Sequence, residues 1–154
     1  MKKWLLMLCC LAFASSVYAY DKVYVKRLLE TNVCNFCNLS EAQLADHDLS
    51  SAQMTEGNLK AINLTNAKLK GAWFTHSKMQ GAILEGADAS NTLMDYAELA
   101  GANLRKTNLS NSQLIFADLT DADLTDASIE NAQLRGVLFC NTIMPDGKVN
   151  NSGC

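Results

Sequence analysis

From Leu39 to Phe139 every fifth residue is apolar. Leucine dominates the series, with Met54, Phe74, Met79, Met94, Ile129 and Phe139 among its large members and Ala89 as its one small member. Two residues before each centre the chain is small, usually alanine, as at Ala42, Ala52, Ala67, Ala82, Ala97 and Ala122. Cys37, His47, Gly57, Ile62, Ser77, Thr92, Thr107, Ser112 and Val137 are the departures. The other three positions are mostly Asp, Asn, Gln, Lys, Ser, Thr or Gly. A period of five suits neither a 3.6-residue helix nor a two-residue strand. A short fixed period held over a long span means stacked structural units, each contacting its neighbours. Residues 37–141 hold 105 residues, which is 105/5 = 21 repeats without an insertion.

Runs such as Ala117-Asp118-Leu119-Thr120-Asp121 and Ala122-Asp123-Leu124-Thr125-Asp126 carry the pattern in full. The pattern closely resembles the pentapeptide-repeat family, whose consensus is A-(D/N)-L-x-x, and the resemblance covers about two thirds of the chain. It implies an all-β fold: a right-handed quadrilateral parallel β-helix with four repeats per coil, hence about five coils of 20 residues. At about 4.8 Å per stacked strand the rod is roughly 25 Å long. The centres and the small residues then point into a narrow square shaft, and the remaining positions face outward. The glycines at 71, 81, 86, 101 and 136 fall at the corners, where the lack of a Cβ eases the bend.

Stepping by 20 residues assigns every repeat to a face. Asp48, Lys68 and Asp88 form one column, and Lys78–Glu98, Glu85–Arg105 and Lys106–Asp126 are expected as stacked opposite charges. One face differs from the other three. It places Trp73 over Leu93 and sets His76, Tyr96 and Phe116 in a single column, with Ile115 beside Phe116. Clustered outward apolar and aromatic groups mark an interaction surface, or else rings that stack to stabilise their own sheet. Trp73, His76, Leu93, Tyr96, Ile115 and Phe116 are the candidate interface.

The flanks read differently. Lys2 and Lys3, the apolar run from Trp4 to Ala14 and the small residues before Tyr20 have the layout of a signal peptide over 1–19. No later stretch is apolar and long enough to cross a bilayer, so the mature chain is expected in the periplasm or secreted. Residues 20–36 read as an N-terminal cap, with Val23-Tyr24-Val25 as the start of a strand and 26–30 as a short helical turn. Residues 142–154 read as a C-terminal cap containing a Pro145-Asp146-Gly147 turn, with Ile143, Met144 and Val149 over the final apolar layer. The lead-in from Leu28 to Leu39 and the tail both resemble the ends of exported family members.

Four cysteines remain after residue 19: Cys34, Cys37, Cys140 and Cys154. In an oxidising compartment an even number reads as disulfides. Sequence leaves three connectivities open; Cys34–Cys37 and Cys140–Cys154 join neighbours at opposite ends of the rod. A thiol-redox role for Cys34 and Cys37 is the alternative. After cleavage the charge is 11 − 16 = −5, which opposes direct binding of nucleic acid. His47 stands at an inward position of the first coil and His76 beside Trp73, and no catalytic or metal-ligand spacing accompanies either. The acidic residues Asp118, Asp121, Asp123, Asp126 and Glu130 spread over three faces. The expectation is therefore an exported, non-enzymatic module without cofactor or metal, serving either as a structural element or in protein–protein interaction, with another protein as its partner. The family resemblance adds two further expectations: end-to-end pairing as a homodimer, and, against the signal peptide, DNA mimicry directed at a type II topoisomerase.

Overall fold

The computed structural model describes residues 21–154; the signal peptide expected over 1–19 lies outside them. The chain forms a right-handed quadrilateral β-helix. Each repeat contributes one bridging residue, the position before its centre. Each bridge is parallel and joins residues 20 apart, as in Asn58↔Lys78, Asn63↔Ile83, Asp88↔Asn108 and Trp73↔Leu93. Four repeats therefore make one coil. The centres and the small positions are buried from Leu39 to Ala127 except at His47, whose side chain swings out of the narrow wall into solvent.

The repeat follows from where its five N–H groups go. Around Leu64, the centre's N–H donates to Ile83 O in the next coil at 2.7 Å, and that of Asn66 donates to Glu85 O at 2.9 Å. The bridging Asn63 donates back to Ala42 O at 2.9 Å, and Ala67 donates to Leu64 O at 3.0 Å across the corner. The fifth amide, Thr65 N–H, is taken by the Asn63 side chain at 3.1 Å. Asp48, Asp88, Asn103, Asn108, Asp118 and Asp123 do the same for the residue two ahead. Buried backbone donors must be paired, so the Asp/Asn of the repeat is a backbone cap. The last position of each repeat turns the corner in the left-handed region, with φ between 51° and 70° from Phe36 to Asn141.

The ends depart from the sequence expectations. Residues Lys22–Thr31 form one helix, α1, so Val23-Tyr24-Val25 is helical rather than extended. Asp21 caps it, accepting from Val23 N–H at 2.8 Å. Tyr24, Val25 and Leu28 then share one helix face, and they pack on the first coil with Leu28 fully buried. Left-handed Asn32 ends α1 and passes straight into the ladder, its carbonyl accepting from Gln53 N–H. The ladder is longer than residues 37–141. It begins at Val33, with Cys34 in a centre position, and continues through Ile143 on Asp123.

Beyond Ile143 the tail turns back as a two-stranded antiparallel hairpin, β1 (Thr142–Ile143) with β2 (Val149–Asn150). Val149 is exposed there and does not cover the last layer; Ile129, Leu134 and Phe139 are only partly buried. Of the expected charge pairs, Lys68–Asp48 closes at 3.6 Å. Arg105 reaches diagonally to Asp123 at 3.0 Å instead of Glu85, and Glu98 accepts from Gln80 rather than pairing with Lys78. Long side chains choose the nearest carboxylate in space, and a diagonal neighbour is within their reach. Lys106 and Asp126 form no ion pair among the described residues.

Candidate interaction face

Between each repeat that caps its own turn and the next, one face gives up the cap. Its bridging column is Val33, Gln53, Trp73, Leu93, Gln113 and Gln133, with no Asp or Asn among them. The neighbouring column supplies some caps instead. Asn35 Oδ1 accepts from Thr55 N–H at 3.0 Å and Asp95 Oδ1 from Ile115 N–H at 2.9 Å, each one coil away. These two caps serve the turns that follow Gln53 and Gln113, and the same column holds Trp73 and Leu93 at its middle bridging positions. Trp73 stands 45% exposed over half-buried Leu93.

At the adjoining corner His76, Tyr96 and Phe116 stack. The His76 and Tyr96 rings lie 4.7 Å apart and nearly parallel, and Tyr96 and Phe116 lie 5.3 Å apart. All three have left-handed backbones, a conformation that costs bulky residues energy. Ring stacking, worth about 0.5–1.5 kcal/mol per pair, offsets that cost. The stack continues at its C-terminal end. The Arg135 guanidinium lies 5.9 Å from the Phe116 ring centre. A Cβ on Gly136 would stand 2.5 Å from that ring, so only glycine admits Phe116 in this pose. Tyr96 spends both ring faces on its neighbours His76 and Phe116. Flat platform binding of a planar ligand therefore does not suit Tyr96, whose two faces are both covered.

The face thus brings all six predicted residues together: Trp73 on Leu93, the ring column, and half-buried Ile115 beside Phe116. Phe36 belongs to the same corner column, two coils below His76, and is 71% exposed. Placing the start of the repeats at residue 37 hid it. The signal was its spacing of 20n from the other rings.

The cysteines form two disulfides, Cys34–Cys37 and Cys140–Cys154. Cys34 and Cys37 take adjacent inward positions and are 0% and 1% exposed. A sulfur without access to solvent is not open to thiol exchange, so this pair is a core contact. Cys154, at the other end, is exposed. The acidic run is held in the ladder. Asp118 and Asp123 cap backbone amides, and Asp121 accepts from Asn141. Burial pushes the Asp123 carboxyl up, but bonds from Thr125 and Arg105 hold it below the usual value. Groups of three or more His, Cys, Asp or Glu placed to hold a metal ion do not occur among the described residues.

Pentapeptide repeats (8 copies) match residues 34–71, 48–81, 72–111 and 102–141. No curated protein matches the chain. Among solved structures it is similar to the pentapeptide repeat protein Rfr23 from the cyanobacterium Cyanothece 51142. That likeness has 24% identity and a TM-score of 0.77, over 79% of this chain and 97% of that one. It is also similar to HetL, a pentapeptide repeat protein involved in heterocyst differentiation regulation from Nostoc sp. strain PCC 7120. There the identity is 23% and the TM-score 0.56, over 77% of this chain and 64% of HetL. At those identities the two structures speak for the fold. With the profile of the repeats matched from residue 34 to 141, the chain belongs to the pentapeptide-repeat family.

Proposed function

We propose that this protein is an exported, non-enzymatic rod that binds another protein through the face of Trp73 and Leu93. The observation that carries the reading is the trade on that face. Its bridging positions hold no Asp or Asn, and exposed Trp73 with half-buried Leu93 stands where backbone caps would otherwise be. A surface that served solubility alone would keep the caps, which satisfy the turns at no apolar cost. Trp73, 45% exposed and carrying an indole N–H, is the anchor, since tryptophan is enriched among residues that dominate binding energy. The Tyr96 and Phe116 rings form the rim. Support for export comes from the layout of residues 1–19 and from the pairing of all four later cysteines.

The test is a comparative pull-down from envelope extract with the wild-type protein and with Trp73→Ser. Circular dichroism checks that both are folded. A partner recovered by the first and lost by the second is the expected result. Equal recovery, or none by either, defeats the reading of this face as a docking surface. Sequencing the N-terminus of protein recovered from the periplasm or medium tests export, with Tyr20 as the expected first residue.

A further inference from the structure

The five-residue register does not stop where the coil stops. Thr142 and Met144 are the small and centre residues of the last repeat that lies on the ladder. The same spacing then gives Gly147 with Val149, and Ser152 with Cys154. Both sets are in phase with all the centres before them. Asn151 falls at the corner position, where the left-handed conformation suits asparagine. Yet the tail leaves the path at Asp146, and Val149 is 54% exposed on β2.

The vacated path is visible on the last coil. Among the described residues the Ile129, Asn131 and Leu134 N–H groups make no backbone hydrogen bond. Every earlier equivalent donates to the carbonyl 19 residues ahead, as Leu109 does to Ser128 and Asn111 to Glu130. Nineteen ahead of the three unpaired amides stand Lys148, Asn150 and Gly153. An apolar cleft of about 470 Å³, lined by Ile129, Met144, Pro145, Asp146 and Lys148, marks the place where Val149 would sit.

The Cys140–Cys154 disulfide excludes that arrangement. On the ladder, Cys154 would be a centre on the Leu134 face. A centre and the small position three residues on are already 5.4 Å apart, as Cys34 and Cys37 show. Cys140 lies three residues further round than the position equivalent to Cys37, and one coil down. A disulfide needs Cα atoms within roughly 7 Å. In the observed hairpin the Cα atoms of Cys140 and Cys154 are 4.9 Å apart.

We propose that Cys140–Cys154 is a redox clasp that holds the C-terminal edge open, and that its reduction lets residues 147–154 dock as one further repeat over Ile129 and the small and centre positions of another over Leu134. The reductant is a dithiol. One of its thiolates attacks Cys154 Sγ, Cys140 leaves as thiolate, and the second thiol resolves the mixed disulfide. Two electrons pass to the protein, which gains two thiols, and the dithiol becomes a disulfide. Cys34–Cys37, buried under α1, stays oxidised.

Hydrogen exchange read residue by residue tests this on the folded chain, oxidised and after dithiol treatment, with thiol alkylation mapped by mass spectrometry. Reduction is expected to label Cys140 but not Cys34 or Cys37. It is also expected to slow exchange at Ile129, Asn131 and Leu134 by about tenfold or more and to make Cys154 alkylate more slowly than Cys140. Cys140→Ser is expected to give the slowed exchange without reductant. Val149→Asp, harmless in the hairpin where this side chain is exposed, is expected to abolish it. The proposal is overturned if the three amides exchange no more slowly after reduction. It is also overturned if Cys154 reacts as fast as Cys140, or if all four cysteines label together.

Discussion

At the scale of single residues, the shaft separates hydroxyls that are paired from one that is not. Thr92, Thr107, Ser112 and Thr142 occupy small positions, and each donates to a carbonyl, Ser112 to Leu109 O at 2.6 Å. Ser77 occupies the same kind of position, and its Oγ is buried without a partner. An unsatisfied buried polar group costs about 1–3 kcal/mol, whereas a made hydrogen bond contributes about 0.5–1.5 kcal/mol. Ser77→Ala is therefore expected to raise stability by about 1 kcal/mol and Ser112→Ala to lower it by a similar amount, read as shifts in urea midpoint. The carboxylates make a second residue-level case. Ser50 holds Asp48, and Thr125 with Arg105 holds Asp123, below their ordinary values. For a depressed carboxylate the stabilisation is present above the unfolded value, near 3.9, and disappears as pH falls through the lower folded value. Between pH 5 and pH 2 the melting temperature of the wild type should fall more steeply than that of Asp123→Asn, and the two curves should converge at the acid end.

The repeating element was the most legible part of the sequence, because one spacing carries both its inward and its outward positions. That spacing sufficed to set Trp73 over Leu93 and to align His76, Tyr96 and Phe116, as the bridges and ring contacts have them. It could not say that Tyr96 spends both ring faces on its neighbours, since that depends on rotamers. Ion pairs were harder still. Arg105 reaches a diagonal carboxylate, and nothing in a column of letters ranks a diagonal against a vertical neighbour. The ladder runs past residues 37–141 at both ends, and the sequence hides both extensions for one reason. Cys34 and Met144 sit in centre positions with no Ala two residues before and no Asp or Asn immediately before, so they lack the marks of a repeat. Residues 26–30 are helical as their sequence implies, but α1 begins earlier, at Lys22, because the cap at Asp21 is a stronger local signal than the alternation of Val23-Tyr24-Val25. That cap gives the element its own test. Asp21→Ala removes the bond to Val23 N–H and should cost about 1 kcal/mol, and Leu28→Ala, which uncovers the first coil, about 2–5 kcal/mol. Far-ultraviolet circular dichroism should register both as loss of the small helical signal before the β-helix melts.

The whole molecule is a one-dimensional stack with unequal ends. At one end α1 seals the shaft with a fully buried Leu28 and the Cys34–Cys37 bond lies in the core. At the other, Ile129 and Leu134 are partly exposed and their amides are unpaired. In a stack where each coil contacts only its neighbours, stability is close to a sum of coil and interface terms, and opening starts where the terms are smallest. The C-terminal coil should therefore exchange its amides first and the coils around Leu84 last. The same asymmetry sets the cost of truncating a centre. Leu84 is completely buried between two coils, so Leu84→Ala should cost about 2–5 kcal/mol, the range for a cavity in a packed core. Leu134 has a coil on one side only, and Leu134→Ala should cost about half as much, because part of its surface is already in water. Urea denaturation of both variants beside the wild type measures the difference. Equal costs would mean that the tail or a bound partner covers the last layer in solution, whereas a larger cost at Leu84 fits an end that is open.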